Sequence, residues 1–110
     1  MKIIKITAAL RRLKKLNQEI RYASLVERRG FTAGLIAFKP RQRGDSKQIM
    51  HRDKDVLCQV LRGHGRLRIN SRRIPLRPGT ICHIPNGTPH DFAAGKNNEL
   101  VLFYSLIKTR

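Results

Sequence analysis

Acids, aromatics and cysteines are all scarce in this chain. Only seven Asp and Glu stand against 24 Lys and Arg in 110 residues, so there is little material for paired-carboxylate acid/base chemistry. GxSxG, HExxH and phosphate-cradling glycine loops are absent, which removes the common hydrolase, zinc-protease and nucleotide-binding readings. No stretch approaches the ~20 apolar residues that span a bilayer. The opening MKIIKITAALRRLKKL lacks the uninterrupted apolar run and small-residue cleavage site of a secretory signal, so a soluble, cytoplasmic protein is expected. Cys58 and Cys82 sit in apolar, strand-like stretches without CxxC spacing and read as buried free thiols rather than a disulfide. Those surroundings raise a thiol pKa, which argues against a thiolate pair of either cysteine with His90.

What the chain has in excess is positive charge. The net charge is +17, spread as thirteen Lys/Arg against three acids in residues 1–47 and eleven against four in the remainder. Such a surface attracts anions. With aromatics at 5% and no RNP-like or zinc-finger pattern, nucleic acid is not the favoured partner; a small anionic ligand fits the charge as well.

Hydrophobic spacing divides the chain in two. Ile6, Ala9, Leu10, Leu13 and Leu16 recur at three- and four-residue steps, which predicts a short basic amphipathic helix within residues 1–18, started by Thr7, ended by Asn17 and packed on the rest. From residue 19 to 110 the period becomes 2. A hairpin is expected from Ile20 through Arg29-Gly30 to Lys39, followed by strands over 55–62, 65–70, 73–76, 80–84, 89–94 and 98–107. Turn chemistry separates them at Gly63-His64-Gly65, Asn70-Ser71, Pro78-Gly79, Asn86-Gly87 and Gly95-Lys96-Asn97. Residues 40–54 form the longest connection and the natural place for a functional loop. Many short strands with almost no helix indicate an all-β sandwich or barrel in one domain. The strand Leu100–Ile107, apolar on both faces, suggests burial on both sides and a subunit interface.

The stretch PGTICHIPNGTPHDF, Pro78 to Phe92, resembles the second motif of the cupins, with Gly79, Pro85, Gly87 and His90 in place; Ala94 stands where the usual Asn would be. Val60-Leu61-Arg62-Gly63-His64-Gly65 similarly resembles the turn that closes the first motif. The resemblance is to small single-domain, RmlC-like cupins. It implies a jelly-roll barrel, or double-stranded β-helix, and a homodimer. It also implies one divalent Fe, Mn, Ni, Cu or Zn held by histidines and a glutamate, and a dioxygenase-like, isomerase-like or sugar-modifying activity. The chain departs from that ligand pattern. Aligned back from Val60 without gaps, the glutamate falls on Val56, His51 on the second histidine and Ile49 on the first; with a shorter loop, His51 comes first and Asp53 second. His51 and His90 are therefore the main metal candidates, with Asp53, Gln59, His83 and Cys58 as substitutes. The alternative is a metal-free barrel that binds an anionic small molecule or nucleic acid, with Arg52, Arg62 and Arg66 near its mouth, and no chemistry.

Overall fold

A computed structural model describes residues 1–41 and 50–109. Among these residues nine strands follow one short helix: α1 (Ile6–Leu10), β1 (Lys14–Lys15), β2 (Ile20–Arg28), β3 (Phe31–Phe38), β4 (Lys54–Arg62), β5 (Gly65–Ile69), β6 (Arg72–Leu76), β7 (Ile81–Ile84), β8 (His90–Ala94) and β9 (Leu100–Lys108). They form a six-stranded sheet in the order β1-β2-β3-β9-β4-β7 and a three-stranded sheet in the order β6-β5-β8, with every pairing antiparallel. This is the all-β cupin jelly roll expected from the strand spacing and motifs, and the strand ends fall within two residues of expectation.

Turn residues set these boundaries. Asn70 and Ser71 both have positive φ, the conformation a two-residue hairpin needs to match strand twist. Pro78-Gly79 makes a tight turn in which Thr80 N–H donates to the Arg77 carbonyl, with Gly79 supplying φ +91°.

Cross-strand register lays the inward side chains of the large sheet in rows. Ile20, Phe38 and Leu100 form one row, Tyr22, Ile36, Leu102 and Val60 the next, and Gly34, Tyr104, Cys58 and Cys82 another. Leu67, Leu76, Phe92 and Ala94 answer from the small sheet and close the core. Gly34 has a local reason: a Cβ there would collide with the Ala23 carbonyl and the Tyr104 hydroxyl.

Two expectations need correction. The helix ends at Leu10 rather than running toward Asn17, and it starts at Lys5 with no side-chain cap, so Thr7 lies inside it. Arg11, Arg12, Lys14 and Lys15 would place like charges at three- and four-residue spacing on a continued helix. Lys14 and Lys15 instead pair with Tyr22 and Arg21 at the sheet edge, and the Asn17 carboxamide oxygen accepts from the Glu19 and Ile20 amides. The last strand is buried on both faces only at its start: Leu100, Val101 and Leu102 are enclosed, whereas Phe103 and Ile107 are exposed on the outer face.

Candidate functional site

The barrel encloses a cavity of about 230 Å³. Ile36, Phe38, Val56, Phe92, Leu102 and Leu106 make its apolar wall, Tyr22, Tyr104 and Cys58 add polar atoms, and His51 and His90 are its only ionisable nitrogen groups among the described residues. Leu16 lines the same cavity while remaining largely exposed, which places it at the rim.

One turn aims both histidines. Gly87 takes φ +77° with open space around it, and its N–H donates to the His51 carbonyl at 2.6 Å. The turn that delivers His90 therefore also holds the backbone of His51. His90 is buried, and its Nδ1 lies 2.9 Å from the Thr88 carbonyl. A carbonyl only accepts, so Nδ1 is the donor in this contact, which leaves the ring's other nitrogen, Nε2, outside it. The His51 and His90 rings are 5.9 Å apart, and His90 meets the Phe92 ring edge-on at 5.8 Å. Burial, reinforced by His90 and Lys54 and opposed by Asp53, pulls the His51 pKa below its ordinary value, so that ring is neutral near pH 7.

The other candidates lie elsewhere. Asp53 is exposed and lines a separate polar cleft with Arg28, Lys54 and Lys108. Gln59 points outward from β4. His83 is also outside, bound through Nε2 to Asp55 at 2.8 Å; that contact and the Asn86 amide hold the Asp55 carboxyl below the usual carboxylate range. Cys58 does face the lumen. Arg52, Arg62 and Arg66 are exposed on the outer surface. Ile49 and most of the 40–54 connection lie outside the described residues.

Metal-binding cupins hold their ion with three or more protein donors, and here the described residues supply two. Among them no group of three or more His, Cys, Asp or Glu converges. That donor set does not fit a protein-bound transition metal by itself.

A partly buried ion network beside the cavity went unforeseen from the sequence. Arg41 is bidentate to Glu19, through Nε to Oε1 at 2.8 Å and Nη2 to Oε2 at 2.9 Å. Its other contacts are Asp91 Oδ1 at 2.9 Å, Asp91 Oδ2 at 3.1 Å and the Phe92 carbonyl. Asp91 follows His90 and points the opposite way, as strand alternation requires, yet it is buried. The available signal was an acid next to the motif histidine with few acids elsewhere to explain it.

Comparison with known proteins agrees with this architecture. The solved structure of TT1209 from Thermus thermophilus is 21% identical, covers 98% of each chain and superposes with a TM-score of 0.77. KdgF from a Halomonas species is 18% identical, with 87% of each chain covered and a TM-score of 0.73. The cupin domain of Schizosaccharomyces pombe Cnp3 is 16% identical, covering 86% of this chain and 69% of that one, with a TM-score of 0.74. At these identities the likeness shows the fold alone. No curated protein matches. Among the described residues no helix is long and apolar enough to cross a membrane. The model of the AraC-like ligand-binding domain matches residues 33–108, well over half of the sequence and the strands that build the lumen, and the chain therefore belongs to that family of cupin-type domains.

Proposed function

We propose that the chain is a binding barrel for a small molecule with an apolar body and one polar or anionic group. The observation that carries this is the pairing of two imidazoles at the end of an otherwise apolar cavity. Apolar walls contribute affinity, while a few placed polar groups fix orientation. His51 and His90 present imidazole nitrogens to the polar group, with Tyr22 and Tyr104 as supporting hydroxyls. A cavity of about 230 Å³ limits the ligand to a small ring or short chain.

The test is titration of isotope-labelled protein with aromatic and short aliphatic carboxylates, followed by amide shifts. Shifts centred on Phe92 and Tyr104, lost in both His51→Ala and His90→Ala, are expected. Shifts centred on Arg62 and Arg66 instead would overturn the lumen reading. One observation favours a second reading, a divalent ion bound with a chelating ligand: a backbone carbonyl fixing the far nitrogen of a histidine is a common support for metal ligation. About one Fe, Mn, Ni, Cu or Zn per chain in untagged protein, lost in both histidine variants, would select that reading and, with it, a search for enzymatic activity.

A homodimer is part of the proposal. Leu57, Ile81, Phe103 and Ile107 are exposed on the outer face of β4, β7 and β9, interleaved with Gln59, His83 and Ser105, with Ile81 67% exposed. Light scattering is expected to give twice the monomer mass at micromolar concentration. Monomer mass alone would refute it.

A further inference from the structure

We propose that Cys58 and Cys82 form a dithiol site that a hydroperoxide converts into a cross-strand disulfide, with Cys82 reacting first and Cys58 resolving. Both cysteines are free, and they are direct partners in the β4–β7 ladder. Opposed residues of an antiparallel pair have Cα atoms about 4.5 or 5.5 Å apart, and both values fall within the roughly 4.4–6.8 Å that disulfides span. Val60, two residues along, is hydrogen-bonded to Thr80 across the ladder. Strand alternation gives Cys58 the same phase and hence the wider Cα spacing, which is still within the range a disulfide spans, with the Cβ atoms drawing together as the bond forms. Both side chains point to the inner face, in the row that also holds Tyr104.

Access assigns the order of reaction. Cys58 is 2% exposed in the core, whereas Cys82 is partly exposed on β7, the edge strand of its sheet. The two thiols are neighbours across the ladder. That contact lowers Cys82 to about 7 against the opposing effect of burial, and it pushes Cys58 above the ordinary thiol range. The expected rise holds for Cys58 and is reversed for Cys82. Cys82 is the nucleophile and Cys58 holds the proton.

The chemistry balances without a metal. The Cys82 thiolate attacks the distal oxygen of the hydroperoxide, the O–O bond breaks, and the departing alkoxide takes a proton to leave as an alcohol, or as water when the oxidant is hydrogen peroxide. Cys82 is then a sulfenic acid. Cys58 sulfur attacks the Cys82 sulfur, the S–O bond breaks, and the Cys58 proton leaves with the hydroxide as water. Two thiols are oxidised and one peroxide is reduced.

The experiment treats the reduced full chain with one equivalent of hydrogen peroxide, alkylates remaining thiols, and maps the products by mass spectrometry. Wild type is expected to lose two hydrogens, about 2 Da, to give a Cys58–Cys82 cross-linked peptide, and to recover both thiols with dithiothreitol. Cys58→Ser should stop at a Cys82 sulfenic acid that dimedone traps, and Cys82→Ser should consume peroxide about tenfold more slowly or less. The proposal is overturned if wild type retains two alkylatable thiols, if Cys82 proceeds to sulfinic acid without a cross-link, or if disulfides form only between chains. The wild-type map decides the matter even where a serine variant fails to fold.

Discussion

Replacing Arg41 by alanine removes the one side chain that ties the end of β3 to both Glu19 and Asp91. The two carboxylates then fare differently. Glu19 is about one-fifth exposed and can rehydrate, whereas Asp91, with 5% side-chain exposure beside Arg41, sits deeper, with Arg68 Nη2 4.0 Å away. Breaking a buried ion pair by removing one partner costs roughly 3–5 kcal/mol, because the survivor keeps its desolvation penalty. The remaining Arg68 contact and the recovery of Glu19 place Arg41→Ala near the lower end, about 3 kcal/mol. In a domain of this size about 3 kcal/mol corresponds to a fall of roughly 12–24 °C in Tm. Urea unfolding at pH 7 should show a lower midpoint with an unchanged slope. Arg41→Met combined with Asp91→Leu should recover much of the loss, since replacing a whole buried pair with apolar groups is often close to neutral. A loss below about 1 kcal/mol in Arg41→Ala, or a double variant worse than the single, would refute the assignment of Asp91 as a buried carboxylate dependent on Arg41.

Gly63 and Gly87 both have positive φ, but a Cβ at Gly63 would strike the Glu99 carbonyl and the Asn98 side-chain oxygen, while at Gly87 it meets nothing within 4 Å. Gly87→Ala should cost about 1 kcal/mol of backbone strain and Gly63→Ala at least about twice that, so equal losses in denaturant unfolding would contradict the contact. His51 is pulled below its unfolded value by burial, so as pH falls through about 6.5 the unfolded chain gains a proton that the folded one resists. Stability of chelator-treated wild type should therefore fall between pH 7.5 and 5.5, and less so in His51→Gln; identical slopes would remove His51 as the source. Salt between 50 and 500 mM should leave the affinity of a lumen ligand nearly unchanged, because Arg52, Arg62 and Arg66 stand outside; a steep decline in calorimetric affinity would put those arginines back in the site.

The strands and turns were legible because each rests on local chemistry. Period-2 alternation gave Val56, Cys58 and Val60 their inward side, and Asn70-Ser71, Pro78-Gly79 and Asn86-Gly87 marked the reversals. His90 was legible for the same reason, since its turn is complete within a dozen residues. The helix end was not, because the choice between another turn of helix and a two-residue ladder at Lys14–Lys15 depends on the free edge of β2, which no local window contains. Arg41, Glu19 and Asp91 are 22 and 50 residues apart in sequence and meet only across the two sheets. His83 and Gln59 illustrate the converse: as residue types they suit a metal site, but each stands one residue out of phase with an inward neighbour, Ile84 and Cys58.

The positive charge and the site turn out to be separate properties of the molecule. Three of the seven acids are committed to arginines: Glu19 and Asp91 to Arg41, and Glu99 to Arg21. Asp55 is held by His83. Such pairing leaves the cationic excess on the exterior, where water and salt screen it. Inside, an arginine would need a buried anionic partner, and the lumen provides none among the described residues. Imidazole escapes that requirement, because it can enter an apolar wall uncharged and still present a donor or a lone pair. The same logic places Cys58 there, a thiol being nearly apolar until a neighbour changes its proton. The lumen thus holds groups whose charge depends on what is bound or what reacts, while permanent charges stay outside it, on the surface or paired as Arg41 is with Asp91.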